Sequence, residues 1–316
     1  MRYGIRKGMT MIITILMVSL FVFIAFSVIP GDPATQMLGT NATSEKVNAL
    51  REQMGLNRPL IIRYFQWVRD FVTGNMGVSY SYHMPVKTLL AEKLPITLTL
   101  SLLSFLMILL LSVPLGIITA KYYDRYFAKL FDIINQLFMA IPPFFTGILL
   151  TYLFGLLLRV FTPGGFVSYK SNFGAFLAYM FFPCLSIALP KAAMSMRMLK
   201  TSVLSESRLD YVRTAYSRGN KTDQVLYRHV LRNALLPVIT FLGMTLADIV
   251  AGSIVIEQVF SIPGFGRLLI SSIANRDYPV AQAIIAIIAG IVVVINFMVD
   301  ILYPLIDPRV KQHENQ

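Results

Sequence analysis

The chain has 316 residues, 56% of them hydrophobic and only 14% charged, with a formal net charge of +12. A soluble globular domain carries about 25% charged residues, so composition points to a membrane protein. The excess Lys and Arg lie between and beside apolar runs rather than on one basic face, which argues against nucleic acid as the partner. The single cysteine, Cys184, excludes an internal disulfide framework and a cysteine metal cluster.

Six apolar segments reach or approach the roughly 20 helical residues that cross a bilayer core. They run over residues 9–29, 94–120, 130–158, 173–196, 234–256 and 279–303. The first follows Arg2, Arg6 and Lys7, as a secretory signal would. It is too long for a signal core, and Pro30-Gly31-Asp32-Pro33 follows in place of a small-residue cleavage site, so it reads as an uncleaved span. With the N-terminus inside, the inner segments collect Lys121, Arg125, Lys129, the basic group between Arg197 and Arg232, and Arg309 and Lys311. The short outer loops hold little positive charge, so the charge bias predicts six spans with both ends inside.

Residues 31–93 form the one sizeable segment outside the spans. SEKVNALREQMGL has helical spacing at Val47, Leu50 and Met54 and stops at Gly55. RPLIIRYFQWVRDFV places Ile61, Phe65, Val68 and Val72 on one face and stops at Gly74. The pair predicts a small helical cap packed on the outer membrane face; the second helix lying on lipid is the alternative. Within the spans, Pro114, Pro142-Pro143, Pro183, Pro190 and Gly252 break the helical pattern. Broken helix leaves backbone groups that need protein or a cavity beside them. Each break alone reads as a structural kink, and their number suits a moving bundle.

No catalytic constellation emerges. His83, His229 and His313 are scattered, and neither HExxH nor GxSxG occurs. GNKT at residues 219–222 lacks the rest of a phosphate-binding loop, so the chain has no ATP site of this type. Ionisable residues within spans are the default functional suspects. Lys191 and Arg197 lie toward the inner end of the fourth span, where snorkelling accounts for them. Asp248 and Glu257 belong to the fifth, and Asn296 and Asp300 share a face of the sixth. Without a dense carboxylate row, pairing inside a bundle is the better reading for most of them.

Between the fourth and fifth spans the chain reads DYVRTAYSRGNKTDQVLYRHVLRNALLP, residues 210–237. Asp210 is expected to cap a short helix that Gly219 ends through a left-handed turn. Thr222 is expected to cap a second helix running into the fifth span. This helix–glycine–helix elbow could pass motion from a partner into a membrane helix. On composition alone, an amphipathic basic loop held by anionic headgroups is the better reading. Further on, VFSIPGFG predicts the outer turn between the last two spans, with Pro263-Gly264 favouring a tight turn. Phe260 and Phe265 would be its apolar anchors, with Gly266 following.

The elbow resembles the EAA loop of ABC-importer permeases. Arg213-Thr214-Ala215 stands where the general form has Glu-Ala-Ala, three residues before Gly219. The departures at Arg213 and Thr214, and His229 and Arg232 further on, are similar to the peptide-importing branch. IPGDPA, GLNRPL, GNMGVS, LPITLTLSL, EQVFSIPGFGRLLISSI, RDYPVAQA and VDILYPLIDPR extend the resemblance over most of the chain. They look like the first of two permease subunits in dipeptide and oligopeptide importers, although Asn75-Met76 replaces the usual Asp-Leu. Nickel and metallophore importers share the pattern.

The resemblance implies an all-α integral membrane protein of type I ABC importer permease form. Residues 1–93 would be the first helix and an extracytoplasmic region. Residues 94–303 would be the transmembrane domain with its coupling loop at 199–233, and residues 304–316 a cytoplasmic tail. It implies a second homologous permease, two ATP-binding subunits and an extracytoplasmic solute-binding protein, in a bacterial or archaeal cytoplasmic membrane. No cofactor is expected, ATP being bound by the partner subunits, and the chain is not itself an enzyme. Tyr211, Arg213, Thr214, Ala215 and Gly219 would meet an ATPase. Phe260, Pro263, Gly264, Phe265 and Gly266 would form an outer gate. An ion-coupled secondary transporter is the other class.

Overall fold

A computed structural model describes residues 2–28, 33–38, 43–53 and 55–306. Pro30, Gly31 and Asp32 of the PGDP motif, Met54, and Arg309 and Lys311 of the tail lie outside these residues. Among the described residues the regular elements are all helical, with one isolated bridge between Val78 and Pro85. Among the described residues, five helices are long and apolar enough to cross a membrane, or six if one sharply bent pair counts as a single span. The chain divides into two compact units, residues 1–97 with 263–294 and residues 98–262 with 295–316.

The first unit contains α1 (Arg2–Val28), α2 (Pro33–Leu38), α3 (Ser44–Gln53) and α4 (Leu60–Val72). It also holds the start of α5 (Val86–Lys121), α12 (Phe265–Ala274) and most of α13 (Tyr278–Ile306). The glycines expected to stop α3 and α4 do so in the left-handed region, Gly55 at φ 66° and Gly74 at φ 85°. α4 packs on α1 through Tyr64, whose ring meets Phe23 edge-on at 5.6 Å. Its hydroxyl lies 2.8 Å from the Ser19 hydroxyl and donates to the Leu16 carbonyl at 3.1 Å. Of the face expected to pack, Ile61, Phe65 and Val72 are exposed and only Val68 is half-buried. α4 is apolar on both sides, and its aromatic side offers more contact area together with a hydroxyl that finds a partner. The side with Ile61 and Phe65 is mostly left uncovered by the chain.

A tight loop precedes α5. Ser79 N–H donates to the Met84 carbonyl at 3.0 Å and Val86 N–H to Gly77 at 3.0 Å. The loop is clasped by the buried carboxylate of Asp277, just before α13, which accepts from the Ser79 hydroxyl, Tyr80 N–H (3.1 Å) and Ser81 N–H (3.2 Å). Three donors satisfy the buried charge.

The second unit contains the rest of α5, then α6 (Tyr126–Ala140), α7 (Pro143–Leu150) and a π-helical turn at Thr151–Leu157. α8 (Phe173–Glu206), α9 (Asp210–Ser217), α10 (Thr222–Val225), a second π-helical turn at Leu226–Val230, and α11 (Leu231–Val259) follow. The apolar run 130–158, expected as one span with a break at Pro142-Pro143, bends by 104° between α6 and α7. Pro142-Pro143 explains it: Pro142 is extended at ψ 147° and Pro143 starts the new helix. α8 is the core of the unit, packed against α6, α7 and α11. α5 approaches it at Gly116, where an added Cβ would stand 2.9 Å from Leu199. Asn135 in α6 donates to the Ala193 carbonyl of α8 at 2.8 Å, a polar tie in an apolar interior.

Candidate functional site

The elbow forms as two helices about a left-handed glycine. Gly219 sits at φ 82°, and its N–H donates to the Tyr216 carbonyl at 2.9 Å. Asn220 Nδ2 donates to the Ala215 carbonyl at 2.9 Å, satisfying a last-turn acceptor of α9. Both expected caps are displaced by one residue. Leu209 and Lys221 occupy the cap positions, while Asp210 and Thr222 are the first helical residues. Asp210 faces the Arg213 guanidinium at 3.6 Å rather than a backbone N–H, and an acid in a first turn still complements the helix dipole.

Only Val212 and Ala215 of α9 are buried. α9 packs beside α10 and the π turn after it. Ala215, expected to meet a partner, is therefore covered by its own chain, and its small size lets α9 sit close to the second arm of the elbow. The side left open carries Tyr211, Arg213, Thr214 and Tyr216.

Three ties connect the elbow to membrane helices. The Tyr211 hydroxyl donates to the Glu206 carboxylate at the end of α8 (2.5 Å) and accepts from Asn233 Nδ2 in α11 (3.1 Å). Lys121, the last residue of α5, pairs with Asp223 of α10 at 2.6 Å. A push on α9 thus has direct polar routes into α8 and α11, while the second arm, α10, is tied to α5. The π turn at Leu226–Val230 joins the elbow to α11, a place where an extra residue per turn often marks a working joint.

The second segment, VFSIPGFG, is a terminated helix followed by a new one rather than a single turn. α11 ends with Ile262 N–H donating to the Glu257 carbonyl (2.8 Å) and Ser261 N–H to Gln258 (3.3 Å). This is a Schellman pairing with Ser261 at φ 55° in the place a glycine usually takes. The Tyr179 hydroxyl of α8 donates to the Phe260 carbonyl at 2.6 Å and accepts from Gly164 N–H at 3.1 Å. Phe260 is buried, with the Phe161 ring 6.2 Å from its own. Past Ile262 the chain belongs to the first unit. There Phe265 is fully buried and its N–H donates to Thr97 Oγ1 at 2.8 Å. Gly264 precedes the helix and Gly266 is buried within it; Pro263 is half-buried. α12 was not expected, because Pro263-Gly264 dominates the local signal. Yet FGRLLISSIA buries Phe265, Leu268, Leu269 and Ser272 at helical spacing.

The family described as the inner membrane component of binding-protein-dependent transport systems matches residues 112–312, and its N-terminal companion matches residues 1–101. The chain belongs to this family. It is 35% identical over 315 residues to the oligopeptide transport system permease protein AppB of Bacillus subtilis, covering 98% of this chain and 99% of that one. It is 32% identical over 309 residues to "Probable peptide ABC transporter permease protein y4tP" of Sinorhizobium fredii, with the same coverage. As a binding-protein-dependent permease it is a multi-pass membrane component of a larger transporter, with the helical fold of type I ABC importer permeases.

Some features of this permease escaped the sequence reading. Tyr179 lies 81 residues from the turn it holds. Ser79 and Asp277 are 198 residues apart. No local pattern announces such pairs, although a Ser and an Asp flanked by turn residues were available to be matched. Lys191, read as snorkelling toward the inner end of α8, is instead paired with Asp248.

Proposed function

We propose that this chain is one of two homologous permease subunits in an ATP-driven importer of di- or oligopeptides, delivered by an extracytoplasmic solute-binding protein. Residues 31–93 lie outside the cell membrane, and the elbow and both termini lie in the cytoplasm, a reading supported by the charge bias of the short loops. Two ATP-binding subunits dock on the elbow. Tyr211, Arg213 and Thr214 meet the ATPase, while Ala215 and Gly219 set the angle at which α9 is presented. Closure of the ATPases moves α9, and the ties at Tyr211 and Asp223 carry that displacement into α5, α8 and α11. The segment from Phe260 to Gly266 acts as the outer gate, its two halves held by Tyr179 and Thr97.

The observation that carries this reading is the elbow itself: an exposed short helix tied to two long helices and hinged, through a left-handed glycine, on a second arm tied to a third. Peptide as cargo rests on full-length similarity to permeases named for peptide and oligopeptide transport. The test is reconstitution with the second permease, the ATP-binding subunits and the binding protein in liposomes. Uptake of a labelled dipeptide or oligopeptide should require both ATP and the binding protein. An assembly that hydrolyses ATP and accumulates nickel or a metal chelate but no peptide would overturn the cargo assignment.

A further inference from the structure

Between α8 and α11, the Lys191 ammonium donates to the Asp248 carboxylate. The pair is lopsided, with 22% of the Lys191 side chain exposed and 68% of Asp248. Asp248 lies 11 residues before the end of α11 at Val259. At 1.5 Å per residue that is about 16 Å along the helix, near the middle of a hydrocarbon core roughly 30 Å thick. An aspartate facing lipid there costs about 2.5–3.5 kcal/mol on the insertion scale, so such groups face protein or water.

The chain's own atoms leave this carboxylate open. Gly252, one turn along α11, has nothing within 4 Å of where a Cβ would stand. Met244, one turn back, is 60% exposed, and Met194, one turn from Lys191 on α8, is 40% exposed. A pair that only fastened α8 to α11 would be covered on both sides. This one fastens the helices and still presents its carboxylate.

We propose that Lys191 and Asp248 form a charge station on the wall of the solute pathway, binding the free ammonium and carboxylate of a zwitterionic peptide. The inference rests on the reading of this chain as half of a peptide pathway. A peptide has one pole for each member of the pair: its ammonium takes the place of Lys191 at Asp248, and its carboxylate takes the place of Asp248 at Lys191. Every ion pair broken is replaced by one of the same kind, so the solute can enter without stranding a charge and leave without being trapped. Met194 and Met244 flank the station with flexible, polarisable side chains, which accommodate varied peptide side chains.

The test uses the complete transporter in liposomes, with Gly252→Cys, which meets no neighbouring atom and leaves Lys191 and Asp248 in place, in a Cys184→Ser background and a charged, water-soluble methanethiosulfonate reagent. We expect modification from the aqueous phase, slowed about tenfold or more by a free dipeptide. The same dipeptide acetylated at its N-terminus and amidated at its C-terminus should not slow it. Asp248→Cys in the same background, which removes the carboxylate itself, should be modified without that protection. No modification at either position in any nucleotide state, or equal protection by both peptides, overturns the inference. If the Cys184→Ser parent takes up peptide while neither position is modified, the charge station fails and the importer reading stands. If that parent takes up no peptide, the importer reading itself fails.

Discussion

Substitution of Gly219 isolates the elbow's backbone from its contacts. Gly219 holds φ 82°, and nothing lies within 4 Å of the position a Cβ would take. Replacement therefore adds no clash with the rest of the chain, and its cost is conformational. The left-handed region costs an L-residue roughly 1–2 kcal/mol, more for a β-branched side chain and less for asparagine. The expected order of ATPase binding is Gly, then Asn, then Ala, then Val. A cost of about 1–2 kcal/mol corresponds to roughly 5- to 30-fold weaker docking for Gly219→Ala, with Gly219→Val weaker still. Membrane insertion should survive, because the apolar spans are unchanged. The assay is titration of purified, liposome-embedded permease pair with the ATP-binding subunits. Wild-type affinity for Gly219→Val would refute the claim that this turn sets the docking geometry. Equal losses for Asn, Ala and Val would refute the strain argument.

Other substitutions probe separate ties. Ala215→Leu should overpack the contact of α9 with the second arm at a cost of about 1–3 kcal/mol, read as lost ATPase co-isolation with normal membrane expression. Tyr179→Phe removes the donor to Phe260 and the acceptor for Gly164, and should lower stability by about 1–3 kcal/mol, since it leaves the buried Phe260 carbonyl unpaired. Thermal unfolding of the purified complex measures it. Asp277→Ala strands the Ser79 hydroxyl and two backbone N–H groups, so limited proteolysis should cut the loop between Gly77 and Val86 faster than in wild type. In a Cys184→Ser background, Glu45→Cys should react with an impermeant thiol reagent from outside and Tyr216→Cys only from inside.

The sequence announced features that are local and failed on those set by distant partners. Gly219 and Gly74 were legible as helix stops because only glycine takes the left-handed conformation readily. The caps Asp210 and Thr222 were misplaced by one residue because their side chains can accept a bond but here do not: Asp210 turns to Arg213 instead. Pro142-Pro143 marked a break, yet hydropathy carries no direction, so the 104° bend was invisible. α4 misled for a related reason. Period alone selects an apolar face without saying whether protein or lipid will cover it. Ala215 was legible as a position needing a small side chain, but the neighbour demanding it is the second arm of the elbow. The Lys191–Asp248 pair joins residues 57 apart and follows no spacing rule.

The most direct test of the account is to find which surface of α9 an ATP-binding subunit touches. A photocross-linking amino acid placed at Arg213, Thr214 or Tyr216, all exposed, should capture an ATP-binding subunit in the assembled transporter, with yields that change between nucleotide-free and ATP-bound states. The same probe at Val212, which is buried against the chain, should capture none. Cross-links from the exposed positions to lipid alone, with no ATP-binding subunit caught in any nucleotide state, would contradict the assignment of this elbow as the coupling element.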